Sequence, residues 1–167
     1  MRRTVLFVFL LPLALLVVPS PAVAAESCRA INATGTGSGA PAEPGDPPNL
    51  VRTQAQLADA GLLQGTTAAA FTITGATDTG ISFAGPLTIT TNRATVLLDL
   101  TGTLDLTTGQ FVGSGPIVAA TGKLSGATGS LTLSGQQDLT DPAGHFTETV
   151  SGSICVDLGA RALSQPA

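Results

Sequence analysis

The chain has 167 residues and a formal net charge of −4, and only 11% of its residues are charged. With no Trp, no Tyr, one Lys and one His, it lacks most catalytic side chains and the cationic stripes and stacking aromatics that bind nucleic acids. A hydrophobic content of 43%, without a glycine period or heptads, excludes disorder, collagen and coiled coils, and the length fits one compact domain.

The first 24 residues have the features of a secretory signal peptide. Arg2 and Arg3 precede an uncharged, Leu- and Val-rich run over 4–18, and Ala-Val-Ala at 22–24 offers the small residues that signal peptidase requires. A membrane anchor is the alternative, but the run is shorter than the roughly 20 residues of a span. We expect cleavage after Ala24, a mature charge of −6, and a secreted or periplasmic protein that leaves the membrane after processing.

Residues 25–158 are predicted to form one all-β domain, because apolar and polar side chains alternate with a period of two between turn residues. A first strand is expected over 28–35. Prolines and glycines predict a loop over 37–48. The segment 50–57 remains open between a strand and a helical turn, since its Thr and Gln at 53 and 56 resemble a capping box.

Six further strands complete a set of eight. They are expected at 69–74, 80–91, 95–106, 111–120, 130–135 and 146–156. The strand over 111–120 is apolar on both faces, which fits either a subunit contact or cover by a C-terminal tail at 159–167. Because most other outer faces carry Thr and Ser, we expect a monomer, with a trimer as the alternative.

Cys28 and Cys155 lie near the two ends of the domain. In an oxidising compartment they are expected to form a disulfide. A metal site is the alternative, but two distant thiols and one His make no recognisable zinc pattern, so we expect no metal and no cofactor.

The two cysteines also bear on the architecture. In an up-and-down barrel the first and last strands pair antiparallel, which brings Cys28 beside Cys155. We therefore predict an eight-stranded antiparallel closed barrel, with a β-sandwich as the alternative. The same pairing places Arg29 beside Ile154.

The apolar faces of these strands predict the interior of the barrel. A small apolar molecule bound there would contact the larger inward side chains. The candidate lining residues are Phe71, Phe83, Leu98, Leu100, Phe111 and Phe146.

Glu148 is the polar residue that conflicts with this apolar pattern, since it shares a face with Phe146, Val150 and Ile154. If that face lines the barrel, burial would raise the pKa of the carboxyl group and suit it to proton transfer or to holding a polar group of a ligand. The alternative is a bulge or a rim position from which Glu148 reaches water. Glu148 is the one candidate catalytic residue.

Residues 119–131 read Ala-Ala-Thr-Gly-Lys-Leu-Ser-Gly-Ala-Thr-Gly-Ser-Leu. This stretch resembles the glycine-rich signature of allene oxide cyclases and dirigent proteins, although Ala119 and Ala120 replace a glycine pair and Leu124 replaces an aromatic. A looser similarity to small exported bacterial proteins extends from 61 to 158. The resemblance implies an eight-stranded barrel with a mouth for an apolar molecule; its plant members cyclise an unsaturated epoxide or steer radical coupling.

Three functions follow from the sequence. The first is non-catalytic binding of a small apolar molecule inside the barrel. The second is a structural or surface-associated extracellular role, and the third is an isomerase of the kind that the resemblance implies. Interior volume distinguishes them, because a solid core excludes the first and the third.

Overall fold

The computed structural model describes residues 26–58 and 61–157. The expected signal peptide (1–24) and C-terminal tail (159–167) lie outside these ranges. Eight strands follow one another, each antiparallel to its neighbours, and the last pairs with the first to close a barrel. The strands are β1 (Glu26–Ala40), β2 (Leu50–Ala58), β3 (Gly65–Ala76), β4 (Gly80–Thr91), β5 (Thr95–Asp105), β6 (Gln110–Ala120), β7 (Thr128–Gln137) and β8 (Phe146–Asp157). The predicted barrel is confirmed, and the sandwich alternative is wrong.

The seam between β1 and β8 has the predicted register. Cys28 lies opposite Cys155, and the two are joined by a disulfide with their Cα atoms 3.9 Å apart. Arg29 lies opposite Ile154. The disulfide is compatible with an extracellular or periplasmic location. Among the described residues, no helix is long and apolar enough to span a bilayer.

Alternation of side chains separates the inside of the barrel from the outside. In β5, Val96, Leu98 and Leu100 are at most 1% exposed, whereas Asp99 and Thr101, which alternate with them, face solvent. Such alternation is the period-two signature of a strand that is buried on one face only.

The two ends of the barrel differ. At the end where β1 begins and β8 finishes, two 3₁₀ turns, Gly61–Leu63 and Gly122–Leu124, insert Leu63 and Leu124 into the hydrophobic core. We call this the closed end. At the opposite end, which we call the mouth, odd-numbered strands finish and even-numbered strands begin.

Near the start of the domain, one segment differs from expectation and another resolves an alternative that the sequence left open. Residues 37–40, expected in a loop, continue β1 and pair with β2, so the loop covers only 41–49. Unlike the prolines that begin at position 41, the glycines at 37 and 39 keep their backbone N–H groups. They therefore do not end the hydrogen-bonded pairing of β1 with β2. Residues 50–58 form a strand, and the helical-turn alternative is wrong.

Candidate functional site

A cavity of about 90 Å³ opens at the mouth of the barrel. Its wall is almost entirely apolar and includes all four phenylalanines of the described chain. The lining residues are Val51, Thr53, Phe71, Ile73, Ile81, Phe83, Leu87, Leu104, Phe111, Leu133, Gln137, Phe146 and Glu148.

Glycines on neighbouring strands make room for three of these rings. Phe83 lies opposite Gly102, Phe111 opposite Gly135, and Phe146 opposite Gly37. A Cβ atom added at any of these glycines would come within 2.4 to 2.5 Å of the ring of its partner. Because the rings occupy the space above the glycines, they lie along the barrel wall and leave its centre open.

The aromatic rings also contact one another. The centroids of Phe71 and Phe83 are 4.8 Å apart, and those of Phe111 and Phe146 are 5.9 Å apart in an edge-to-face arrangement. Such pairs stabilise one another beyond their burial. The cavity wall is therefore held in place by two aromatic pairs.

Four of the six candidate lining residues from the sequence are on the cavity wall: Phe71, Phe83, Phe111 and Phe146. Leu98 and Leu100 are not; they are buried in the core on the part of β5 nearer the closed end. Leu104, further along the same inward face, lines the cavity instead. Alternation identifies the inward face of a strand but gives no depth along the barrel, so it did not distinguish these leucines.

Glu148 faces the interior. Its side chain is 4% exposed and lies on the cavity wall, two residues further from the mouth than Phe146. The register of β8 with both neighbours is continuous, so no bulge turns the side chain outward. Its partners in the two neighbouring strands are Gly35 and Gly135. A Cβ atom added at Gly35 would lie 3.2 Å from Cγ of Glu148, so this glycine leaves room for the side chain.

Thr67 is the polar contact of this carboxyl group. Its hydroxyl group donates a hydrogen bond of 3.3 Å to Oε1 of Glu148, and Thr67 itself is 3% exposed. Oε2 has no hydrogen-bond partner among the described residues. Every described side-chain oxygen or nitrogen that is shielded from solvent does have such a partner, so Oε2 is not shielded. Oε2 is therefore open to the cavity. Thr67 was not predicted from the sequence as a site residue, although its place on the inward face of β3, with Ala69 and Phe71, was a signal.

Burial sets the protonation of Glu148. Desolvation raises the pKa of this carboxyl group from 4.5 to about 7, and the hydrogen bond from Thr67 opposes part of that shift. Near neutral pH the group is therefore divided between an acid that can donate a hydrogen bond and a carboxylate that can accept one. It can hold a polar group of a ligand or exchange a proton with it.

The loops at the mouth carry a separate set of charged contacts. Arg52 bonds Asp46 at 2.7 Å and Glu43 at 3.2 Å, which ties the loop over 41–49 to β2. The hydrogen bonds that Asp46 accepts from Arg52 and from the backbone amide of Glu43 hold the pKa of its carboxyl group down at about 2. His145 is exposed and bonds Asp141 in the same turn.

The described residues contain no cluster of His, Cys, Asp and Glu side chains that could hold a metal ion.

Comparison of the chain with protein-family models, with curated proteins and with solved structures finds no match.

Proposed function

We propose that this protein binds a small apolar molecule in the mouth of its barrel. The observation that carries the proposal is an open cavity lined by four Phe rings in an otherwise packed interior. Concave apolar sites with few polar groups are the usual form of small-molecule sites. Exposing these rings to an empty, solvent-accessible space has a free-energy cost that an apolar ligand would remove.

The size of the cavity limits the ligand. A volume of about 90 Å³ is smaller than the roughly 150 Å³ of a cavity that encloses benzene. The bound molecule is therefore slender, or leaves part of itself at the mouth.

The test is calorimetric titration with straight-chain alcohols of increasing length, comparing the protein with two variants that carry the same substitution. Leu104→Phe adds bulk on the cavity wall, whereas Leu106→Phe adds it at an exposed residue, 40% accessible, outside the cavity. We expect alcohol binding that Leu104→Phe weakens about tenfold or more, and that Leu106→Phe leaves unchanged. Absence of binding by the unaltered protein would leave the structural role as the better explanation.

An isomerase is the second candidate, and Glu148 on the cavity wall is the observation that favours it. A carboxyl group whose pKa is raised to about 7 is suited to proton transfer at neutral pH. Turnover of an unsaturated epoxide that is lost in Glu148→Gln would support this function. Binding without turnover supports the non-catalytic one.

The proposal includes export and a relationship to allene oxide cyclase-like and dirigent-like barrels. The disulfide between Cys28 and Cys155 supports an oxidising compartment. The glycine-rich stretch over 119–131 contains three glycines with positive φ, a conformation that glycine adopts far more readily than other residues, so glycine is favoured at these positions. An intact mass of the exported protein that begins at Ala25 and lacks two thiol hydrogens would support export and the signal peptide.

A further inference from the structure

Glu148 has no positive partner within 26–58 and 61–157. Among the described residues, no ion pair includes it, and Thr67 is its one hydrogen-bond donor. In the same part of the chain it is also the one ionisable side chain on the cavity wall. The strands around it present only neutral groups: Gly35 of β1, Thr53 and Leu57 of β2, Thr67 of β3, and Leu133, Gly135 and Gln137 of β7. A buried carboxylate in such surroundings lacks a cation, and one oxygen, Oε2, is open to the space where a ligand would lie.

Charged side chains are distributed unevenly between the two ends of the barrel. At the mouth, six acidic residues lie in or beside the loops, against Arg52 and the weakly basic His145. These acidic residues are Glu43, Asp46, Asp78, Asp105, Asp138 and Asp141. The other described cations, Arg29, Arg93 and Lys123, lie at the closed end, together with the acidic residues Glu26 and Asp157. A cavity entered through one sign of charge concentrates ligands of the opposite sign and repels ligands of the same sign.

The aromatic wall is also compatible with a cation. The negative faces of aromatic rings attract ammonium groups within about 6 Å of the ring centre. Phe71, Phe83, Phe111 and Phe146 surround the cavity that leads to Glu148. A cationic group could thus pass the acidic mouth and the rings before it reaches the carboxyl group.

We infer that the ligand is a slender apolar amine, whose ammonium group pairs with Oε2 of Glu148 and whose hydrocarbon chain extends along the Phe rings to the mouth. This inference rests on the proposed binding function and names its ligand class. The amine supplies the positive charge that the described barrel lacks around Glu148, and its chain fills the apolar space. Fatty acids are the wrong class, because their carboxylate would meet both the acidic mouth and Glu148.

The experiment compares three probes of equal length: n-hexylamine, 1-hexanol and hexanoate. Each is titrated into the mature protein by calorimetry at about pH 8, where Glu148 is ionised and the amine, with a pKa of about 10, remains charged. We expect hexylamine to bind about tenfold or more tightly than hexanol, because an ammonium group forms an ion pair with the carboxylate of Glu148, whereas a hydroxyl group donates only a hydrogen bond from a neutral group. Hexanoate should not bind measurably.

Two matched variants locate the effect. Glu148→Gln keeps the shape of the side chain and should weaken hexylamine binding about tenfold or more while hexanol binding is retained. Asp99→Asn removes one carboxylate from the outer wall of β5, away from the mouth, and should leave all three affinities within about twofold. At about pH 5.5, where Glu148 is protonated, the preference for the amine should disappear.

The possible results separate the inference from the proposed function. If hexanol binds as tightly as hexylamine, or if hexylamine binds Glu148→Gln undiminished, the ligand is not an amine held by Glu148, and the apolar-binding function stands. If hexanoate binds best, the acidic mouth and Glu148 do not select a cationic ligand, and the inference is overturned. If none of the probes binds, both the inference and the proposed function are overturned.

Discussion

Glu148 is the residue at which stability and chemistry conflict in this barrel. A carboxyl group with 4% exposure gains one hydrogen bond from Thr67 and loses its hydration. An apolar side chain at this position would pack without that cost. The cavity therefore keeps a reactive group at the expense of stability, a combination that is common at functional sites.

The first prediction concerns the pH dependence of stability. The pKa of Glu148 is about 7 in the folded chain and near its ordinary value of 4.5 in the unfolded chain. Between these values only the unfolded chain loses the proton, so the free energy of unfolding falls as pH rises and is lowest above pH 7. Glu148→Gln removes this dependence and should be the more stable form by about 3 kcal/mol at about pH 8, with little difference below pH 4.5.

Urea denaturation at a series of pH values measures this effect. Asp99→Asn is the control, because it removes one exposed carboxylate from the outer wall and so tests the change in net charge alone. Equal stability of Glu148→Gln and the unaltered protein at about pH 8 would show that water or a nearby cation compensates the buried charge.

A second prediction concerns the glycines beneath the rings. A Cβ atom at Gly102 would lie 2.4 Å from the carbonyl oxygen of Val112 and 2.5 Å from Cζ of Phe83. Gly102→Ala should therefore lower the free energy of unfolding by about 1 to 3 kcal/mol and push Phe83 into the cavity. At Gly75 the nearest atom, in Ser82, is 3.8 Å away, so Gly75→Ala should be neutral or stabilising by up to about 1 kcal/mol.

Thermal and chemical denaturation of the two glycine variants provides the measurement. Similar stabilities for Gly102→Ala and Gly75→Ala would indicate that β5 and β6 can shift around Phe83 at little cost in free energy. Loss of alcohol binding in Gly102→Ala, with Gly75→Ala unaffected, would connect the position of the ring to the open cavity.

At the scale of elements, the seam between β1 and β8 closes the barrel. These strands pair along nearly the whole of β8, and the disulfide covalently joins them across 127 positions of sequence. No other pair of neighbouring strands is so distant in sequence. Closing the sheet therefore depends on the most non-local contact in the described part of the chain.

The third prediction tests this seam. Replacing both Cys28 and Cys155 by Ser removes the constraint on the unfolded chain and should lower the free energy of unfolding by about 4 kcal/mol. The far-ultraviolet circular dichroism spectrum should be retained, since the β1 and β8 ladder remains. Guanidinium denaturation of oxidised protein, reduced protein and the double variant measures the change. A loss below about 1 kcal/mol would mean that the unfolded chain already keeps its ends together.

The acidic mouth is a property of the whole molecule. It arises because loops at the mouth use Asp in their turns: Asp105 accepts hydrogen bonds from the amides of Thr107 and Thr108, and Asp138 does so from Thr140. The local capping of turns thus also creates the electrostatic field around the cavity.

The fourth prediction concerns assembly. Val112 and Val118, on the outer face of β6, are 49% and 55% exposed, while the outer faces of β3 and β4 carry smaller side chains, chiefly Thr and Ala. This apolar strip is narrow, so we expect a monomer in multi-angle light scattering of the mature protein. A mass near three subunits would instead identify the face of β6 as a subunit contact, and Val118→Lys should then dissociate the trimer.

The sequence by itself determined the class and the order of the fold. Alternation and turn residues defined β4 as 80–91, the bounds that the strand has, and the cysteine positions predicted a closed barrel with Cys28 opposite Cys155. Period-two patterning and turn chemistry are local, and a disulfide between terminal strands leaves few topologies. These features could therefore be deduced without coordinates.

Only the tertiary structure decided where the interior is packed and where it is open. Leu98 and Leu104 occupy the same inward face of β5, but one lies in the core and the other on the cavity wall. The packing around Glu148 depends on Gly35, in the strand beside it, because a side chain there would meet Cγ of Glu148. Such properties arise from side chains on strands that are distant in sequence, because packing at each level of a barrel is shared by all of its strands.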